Sequence, residues 1–345
     1  MPLINHAGGG GGTPQLCSQV ENFKVIPGST ALSARLSWEA PTVDEDSSFV
    51  GVRIVRKAGS VPEKVSDGTV VYEGTALTYT DTGLTAGTTY YYRAFAYNAK
   101  KKYQTARRVV SLTATTITLG ATLNDCTWAQ IRAASAAGLA ASIWSVGDTK
   151  SISITNYYGT NGTPETLQID VYIIGFNHNS AQEGSNRIHF KIGKQNGKQV
   201  GLRYSPYGTG SHEVEASTLQ QNLPSALTAV LQSTVKYNLY NKTVESESLK
   251  VALLGCVELL GAKSNIYAKL EGKQVQYDYY KAGNSILHFL NNDLTINWST
   301  GTKDTGSFRL RDKGYGDYRY NISNNGAEQY TDVTYDDCSV FIFFV

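Results

Sequence analysis

Methionine is almost absent from this sequence, with Met1 the only one in 345 residues. Cysteine and histidine are scarce and scattered. Cys17, Cys126, Cys256 and Cys338 lie far apart, with no CxxC pair and no Cys/His grouping at zinc spacing. A zinc ribbon is excluded, and the thiols read as separate buried or inert groups rather than as a disulfide framework. His6, His178, His189, His212 and His288 have no Cys, Asp or His neighbour at metal spacing and read as structural or exposed. Charge of one sign is missing too: the net charge is +2 with both signs interspersed, which argues against the basic stripe of a nucleic-acid binder. No apolar run is long enough to span a membrane, and no heptad repeat argues a coiled coil. The N-terminus has neither the charged nor the apolar region of a cleaved signal. The expectation is therefore no membrane insertion and no export by that route.

Catalytic patterns are equally thin. Ser205–Gly210 is Gly-rich but lacks the Lys-Ser/Thr that completes a phosphate cradle, and it reads as a loop. The acids Asp336, Asp337, Glu213 and Glu215 would serve glycoside hydrolysis only if the fold set two carboxyls about 5–10 Å apart. Asp293, Asp304, Asp312 and Asp317 lack the D-x-D-x-D spacing of a calcium loop and read as solvated acids. The sequence predicts no catalytic residue, no metal ligand and no cofactor.

What is abundant is tyrosine, with 23 residues, and glycine, with 33. This composition suits β-rich extracellular or virion proteins. The most legible stretch is Asp81 to Asn98. Thr-Ala-Gly-Thr is turn chemistry, with Gly87 free to take φ > 0. From Thr88 the residues alternate, Tyr90, Tyr92, Ala94 and Ala96 on one face and Tyr91, Arg93, Phe95 and Tyr97 on the other, which predicts a half-buried strand. Tyr90, just past the corner, is placed to return its hydroxyl to the backbone a few residues upstream.

Around it, Phe23–Ile26, Ala31–Trp38, Phe49–Lys57, Val70–Gly74, Tyr79–Asp81 and Arg107–Thr113 read as short strands between turns, hence an antiparallel sandwich over 20–115. LSWEAP at Leu36–Pro41, VGVRIVRK at Val50–Lys57 and YTDTGLTAGTTYYYRAFAYN at Tyr79–Asn98 resemble a fibronectin type III domain. The resemblance assigns Trp38 as the buried tryptophan and Tyr90 as the corner tyrosine, and it implies a spacer or interaction module. Residues 1–19, with five consecutive glycines from Gly8, form a flexible arm whose apolar head could dock on a partner.

Beyond a Thr-rich link the pattern becomes mixed. Trp128–Ala141 predicts a helix, capped by Asn124-Asp125 or Thr127 and ended near Gly138. Ala216–Val235 predicts a second helix, with Pro224 in a first turn. Ser151–Thr155, Leu167–Phe176, Ile188–Ile192, Leu249–Leu260, Ser307–Leu310, Tyr318–Ile322 and the apolar end Val340–Val345 read as strands, the last one buried. TWAQIRAASAAG, WSVGDTKSISI, LPSALTAVLQSTVKYN, KVALLGCVELLGA, GKQVQYDYYKAGNS and GSFRLRD...YNISNNG resemble, in that order, the domain of unknown function numbered 6273. That family is common in phage tail and surface proteins of gut Firmicutes and related to C-type-lectin-like folds. The likeness spans about 122–345. It departs at Phe308–Asp312, where relatives carry Trp-Leu-Arg-Ser-Pro, and at Ser339-Val340, where they carry Arg-Pro.

The expected fold is mostly β with some α: a fibronectin-type sandwich followed by an α+β, C-type-lectin-like domain. Tyr277, Tyr279, Tyr280, Trp298, Tyr315 and Tyr318 crowd the last quarter amid Asn and Gly. Tyrosine and tryptophan offer rigid contact area with a polar handle, so these six are the candidate ligand contacts. The expected function is a virion structural and adhesion protein, on a phage tail or decorating a capsid. Its partners would be other virion proteins through the arm, a host-surface glycan or protein, and copies of itself in a homo-oligomer. The rival expectations are a bacterial surface or secreted adhesin, and a glycan-active enzyme.

Overall fold

A computed structural model describes residues 19–41, 49–104, 109–158, 164–195, 198–199, 212–240, 243–261, 270, 272–282, 308–313, 319–322, 328–331, 338–339 and 341–345. The chain divides into two compact units, Met1–Leu119 and Gly120–Val345. The glycine arm lies, up to residue 18, outside the described residues.

The first unit is a two-sheet sandwich. Its strands are β1 (Glu21–Pro27), β2 (Ala34–Glu39), β3 (Phe49–Ala58), β4 (Thr69–Gly74), β5 (Thr78–Asp81), β6 (Thr89–Asn98) and β7 (Val109–Thr113). One sheet runs β1-β2-β5 and the other β4-β3-β6-β7, all pairs antiparallel. Alternation decides which side chains meet between them. Leu36, Trp38, Val52, Ile54, Tyr90, Tyr92 and Ala94 form the core with Phe23. Trp38 packs its ring 6.3 Å from Phe23 and 5.4 Å from Tyr72. At the corner, Thr85 N–H donates to the Tyr90 hydroxyl at 3.2 Å. Asp81 is braced by both oxygens on Arg56, at 2.9 Å each, and by the Tyr92 hydroxyl at 2.9 Å.

Two details differ from the alternation. Leu32, inside the predicted strand Ala31–Trp38, takes φ +55° in a turn before β2. The outward face of β6 is not open along its length. Phe95 and Tyr97 are buried, Phe95 in a second small cluster with Val55, Val65 and Tyr103, and Tyr97 with its ring against Tyr103. Period two tells which face a residue points to; it does not tell whether a loop folds back to cover that face.

The second unit begins with α1 (Trp128–Ala136) and the turn α2 (Ala140–Ile143). Thr127 is the cap, accepting from Gln130 N–H while the Gln130 side chain returns to Thr127 N–H. Then follow β8 (Thr149–Tyr158), β9 (Pro164–Phe176), α3 (Ser180–Glu183), β10 (Ile188–Gln195), β11 (Lys198–Gln199), α4 (His212–Asn222), α5 (Ser225–Thr228), β12 (Thr234–Tyr240), β13 (Thr243–Leu249), β14 (Val251–Leu253), α6 (Cys256–Leu260), α7 (Asp278–Lys281), β15 (Phe308–Lys313), β16 (Arg319–Ile322), β17 (Glu328–Thr331), β18 (Cys338–Ser339) and β19 (Phe341–Phe344).

Two expected elements are corrected. The helix over 216–235 is broken: α4 ends at Asn222, Pro224 becomes the residue before α5, and Thr234 already starts β12. Proline has no N–H and cannot continue the preceding helix. The strand over 249–260 splits as well. Gly255 turns the chain after β14, and Cys256–Leu260 is helical because Glu258 reaches back to the Gly255 N–H at 2.8 Å.

The main sheet runs β14-β19-β10-β9-β8, with β11 on β10. The last strand of the chain therefore lies inside the sheet, with Phe341 to Val345 wholly buried. Ile188 and Val345 exchange both backbone bonds, at 2.8 and 3.0 Å. Alternation along β19 divides its side chains between two layers. Phe343 stacks on Phe190, and both meet the edge of Trp128 from α1. Ile342 and Phe344 face the other way, into a core with Tyr172, Leu254, Tyr277 and Leu310. Among the described residues there are also two smaller sheets, β12 with β13, and β17-β16-β15-β18.

Tyr90→Phe is expected to cost the first unit about 1 kcal/mol, because one amide loses its acceptor while the ring stays packed. Tyr90→Ala is expected to cost about 3–5 kcal/mol. Denaturant unfolding of the full chain checks both, and equal losses would show that the ring contributes no packing.

Candidate functional site

The residue types that carry chemistry converge on the Phe344 side of the main sheet. Lys236 on β12 is fully buried and donates to three acceptors: Glu183 Oε2 at 2.6 Å, Glu258 Oε1 at 2.9 Å and the Tyr277 hydroxyl at 2.9 Å. An ammonium has three N–H bonds, so its donors are all used. Its Nζ also lies 5.0 Å from the Phe344 ring and 5.3 Å from the Tyr277 ring.

Each partner is held in turn. Glu183 ends α3 and Glu258 sits in the first turn of α6. Glu258 Oε2 accepts from Arg311 Nη1 at 3.1 Å as well as from Gly255 N–H. Arg311 on β15 spreads its remaining donors over the carbonyls of Tyr237 and Leu253. Asp312 accepts Leu239 N–H at 2.8 Å, Cys256 N–H at 2.7 Å and the Gln274 amide at 3.0 Å. The Tyr277 hydroxyl meets His189 Nδ1 at 2.8 Å, and its ring stacks on His178 with centroids 3.6 Å apart. Two glycines make room. A Cβ at Gly255 would come within 2.7 Å of both Gln274 and Arg311, and one at Gly175 within 3.1 Å of the Tyr277 ring.

The electrostatics follow from burial and sign. Burial pushes the Glu183 carboxyl up to about 7, with Lys236 only partly offsetting it. Burial would also raise Glu258, but Arg311 and Lys236 outweigh it and hold that carboxyl well below the usual range. Burial, and then the Lys236 ammonium, press His178 down to about 3 and His189 well below its ordinary value. Burial first, then the two glutamates, hold the Tyr277 phenol far above its usual range. Both imidazoles are therefore neutral at pH 7. His178, Glu183 and Glu258 place one ligand atom each within 4.8 Å of one another. That donor set suits a cation, and the Lys236 ammonium already sits on both carboxylates.

Against the sequence expectations, Tyr277, Tyr279 and Tyr280 are buried, at 0%, 7% and 6% exposure. Tyr279 packs on Tyr172 and Tyr280. As placed, none of the three turns its ring to a surface ligand; an aromatic-rich segment read without depth looks the same either way. Trp298, Tyr315 and Tyr318 lie outside the described residues, as do Cys17, His6, His288, Ser205–Gly210, Asp293, Asp304, Asp317, Asp336 and Asp337. Asp312, considered above as a loop acid, is instead buried under three donors. Cys126 and Cys256 are buried. Sequence reasoning missed Lys236, Glu183, Glu258 and Arg311. In β12 the polar Thr234, Lys236 and Asn238 point inward while Val235 and Tyr237 are only half-buried, the inverse of the hydrophobic pattern.

Comparison with known proteins addresses the first unit. Residues 18–111 match the fibronectin type III domain family, and with the β1-β2-β5 and β4-β3-β6-β7 sheets they are a fibronectin type III domain. The sixth fibronectin type III domain of human fibronectin type III domain containing protein 3 is similar at 22% identity, over 30% of this chain and 90% of that one, with a TM-score of 0.24. The chicken CNTN1 FN1-FN3 domains match at 18% identity, over 29% and 32%, with a TM-score of 0.24. A beta-1,2-glucanase from Parabacteroides distasonis matches at 15% identity, over 36% and 16%, with a TM-score of 0.22. No curated protein matches the chain.

Two outcomes are expected for the ion cluster. Lys236→Met leaves two buried carboxylates facing each other, and is expected to cost about 3–5 kcal/mol, more at pH 8 than at pH 5, where Glu183 takes up a proton. The second outcome concerns acid. A histidine whose folded pKa is depressed contributes stability that is present above about 6.5 and lost as pH falls. A free Glu183, raised to about 7, contributes in the opposite sense between 4.5 and 7. Two histidines against one glutamate leave a net uptake of one proton on unfolding. With Glu183 free, stability should thus fall by about 1.4 kcal/mol per pH unit from pH 6.5 to 4.5. Urea unfolding across that range checks it, and a flat profile would contradict neutral histidines.

Proposed function

We propose that this chain is a non-enzymatic adhesion protein displayed on a phage particle. In this reading the fibronectin type III domain is the spacer, and the second unit, of the family numbered 6273 and lectin-like, carries the ligand-binding surface. The observation that supports it is how the second unit anchors its polar segment. Residues 283–307 are rich in Asn, Ser, Thr and Gly and contain Trp298. The chain just before them is held by buried Tyr277, Tyr279 and Tyr280, and the chain just after them by buried Leu310, Arg311 and Asp312. Both feet enter one ion cluster, through Tyr277 on Lys236 and Arg311 on Glu258. Rigid flanks on both sides of a polar, aromatic-bearing sequence suit recognition, because ordering the supports beforehand lowers the entropy lost on binding. The ligand is a surface glycan or protein of the host cell, met by Trp298, Tyr315 and Tyr318. The family at 18–111 is generally one of binding or structural modules, which fits a spacer. The N-terminal arm docks on other virion proteins, and copies of the chain associate.

Mass spectrometry of purified particles tests the location. Copurification at a copy number matching tail or capsid symmetry is expected; recovery only from cell envelopes would replace the virion with a bacterial adhesin. Trp298→Ala is expected to weaken binding to host cells at least tenfold while leaving the unfolding midpoint unchanged, and undiminished binding would remove that surface from the reading.

A further inference from the structure

Lys236 and Glu183 bring an amine and a carboxyl into direct contact away from solvent. Nζ and Oε2 are 2.6 Å apart, and both side chains are shut away, at 0% and 1% exposure. The two glutamates on the amine differ. Glu258 is fixed by Arg311 and the Gly255 N–H. Glu183 ends the four-residue turn α3, has the shorter contact to Nζ, and is the carboxyl that burial drives toward its neutral acid. Phe344 and Tyr277 wall the amine.

We propose that Lys236 and Glu183 become joined, once the unit has folded, by an amide bond between Nζ and the Glu183 carboxyl carbon. The proton shared in the 2.6 Å hydrogen bond passes from Nζ to Glu183, giving a neutral amine and a neutral acid. The Nζ lone pair then attacks Cδ, and the N–C bond forms as the carbonyl opens to a tetrahedral centre. Glu258 Oε1, 2.9 Å from Nζ, relays the second Nζ proton to the departing hydroxyl. The C–O bond breaks and one water leaves. Lys-NH3+ and Glu-COO− become one amide and one water, with no oxidant, metal or co-reactant. Two physical terms drive it. Fixed contact raises the effective concentration of amine and acid, up to about 10⁵–10⁸ M for a pair aligned for attack. Replacing two buried charges by one neutral amide also removes their desolvation cost, several kcal/mol per ion. Glu258 and Arg311 stay as a balanced pair. The bond would tie α3 to β12 across 53 residues of chain, a loop whose closure restricts the unfolded state.

The test is the intact mass of the natively purified full chain, measured after denaturation. The expected mass is one water below that of the sequence. Tryptic digestion should yield a branched peptide joining the Glu183 and Lys236 segments, with no cleavage after Lys236. Lys236→Met and Glu183→Ala should each restore the full mass. Should one variant fail to fold, the wild-type peptide map still decides. The linked form should also show twice the acid slope expected for a free Glu183, since only the two histidines then titrate between pH 4.5 and 6.5. A wild-type chain at full sequence mass after prolonged incubation would overturn the proposal, and so would a lost water that persists in Lys236→Met.

Discussion

A lysine ammonium without water is the constraint on which the second unit depends. Lys236 arrives on a short strand, and each of its three donors reaches an element far away in sequence: α3, α6 and the approach to α7. An unpartnered ammonium in such surroundings would be too costly to keep, so the acceptors must all be present together. That requirement locks the relative placement of elements contributing Glu183, Glu258, Tyr277 and, through Glu258, Arg311. The apolar layer of Phe344, Ile342 and Tyr172 supplies the burial, and the ions make the arrangement specific.

The first unit reaches its specificity by a different route. Its core is apolar and follows strand alternation, with two polar braces built into it, buried Asp81 with Arg56 and Tyr92, and Tyr90 with Thr85. Here Arg56 keeps some contact with solvent while Asp81 is buried against it, and the hydrophobic pattern carries most of the information. The two units thus contrast a fold readable from period two with one held by a buried polar network.

Legibility follows that contrast. The sandwich strands, the corner tyrosine, the buried Trp38, the α1 helix with its Thr127 cap and the apolar C-terminal strand all rest on local signals: turn residues, alternation and capping. The errors came where a periodic run is interrupted from within or where burial decided. Ala216–Val235 has helical spacing, yet Pro224 breaks it and Lys236 is pulled into a strand by acceptors on other elements. Leu249–Leu260 looks like one apolar strand, yet the Glu258 carboxylate returning to Gly255 turns its second half into a helix. The tyrosines near Tyr277 were legible as aromatics but not as interior ones, because depth is a property of the packed molecule.

By itself the sequence determined the mostly β character, the fibronectin type III domain, the division into two parts near the Thr-rich link and the burial of the final strand. Each of these is encoded by neighbours within a few turns or strand residues. Only the tertiary structure decided that Lys236, Glu183, Glu258, Tyr277, His189 and Arg311 share one buried interior. They are drawn from positions scattered over 183–311, and no spacing rule links them. What joins them is the need of each buried charge for a partner, and that need is met only when the chain has closed around it.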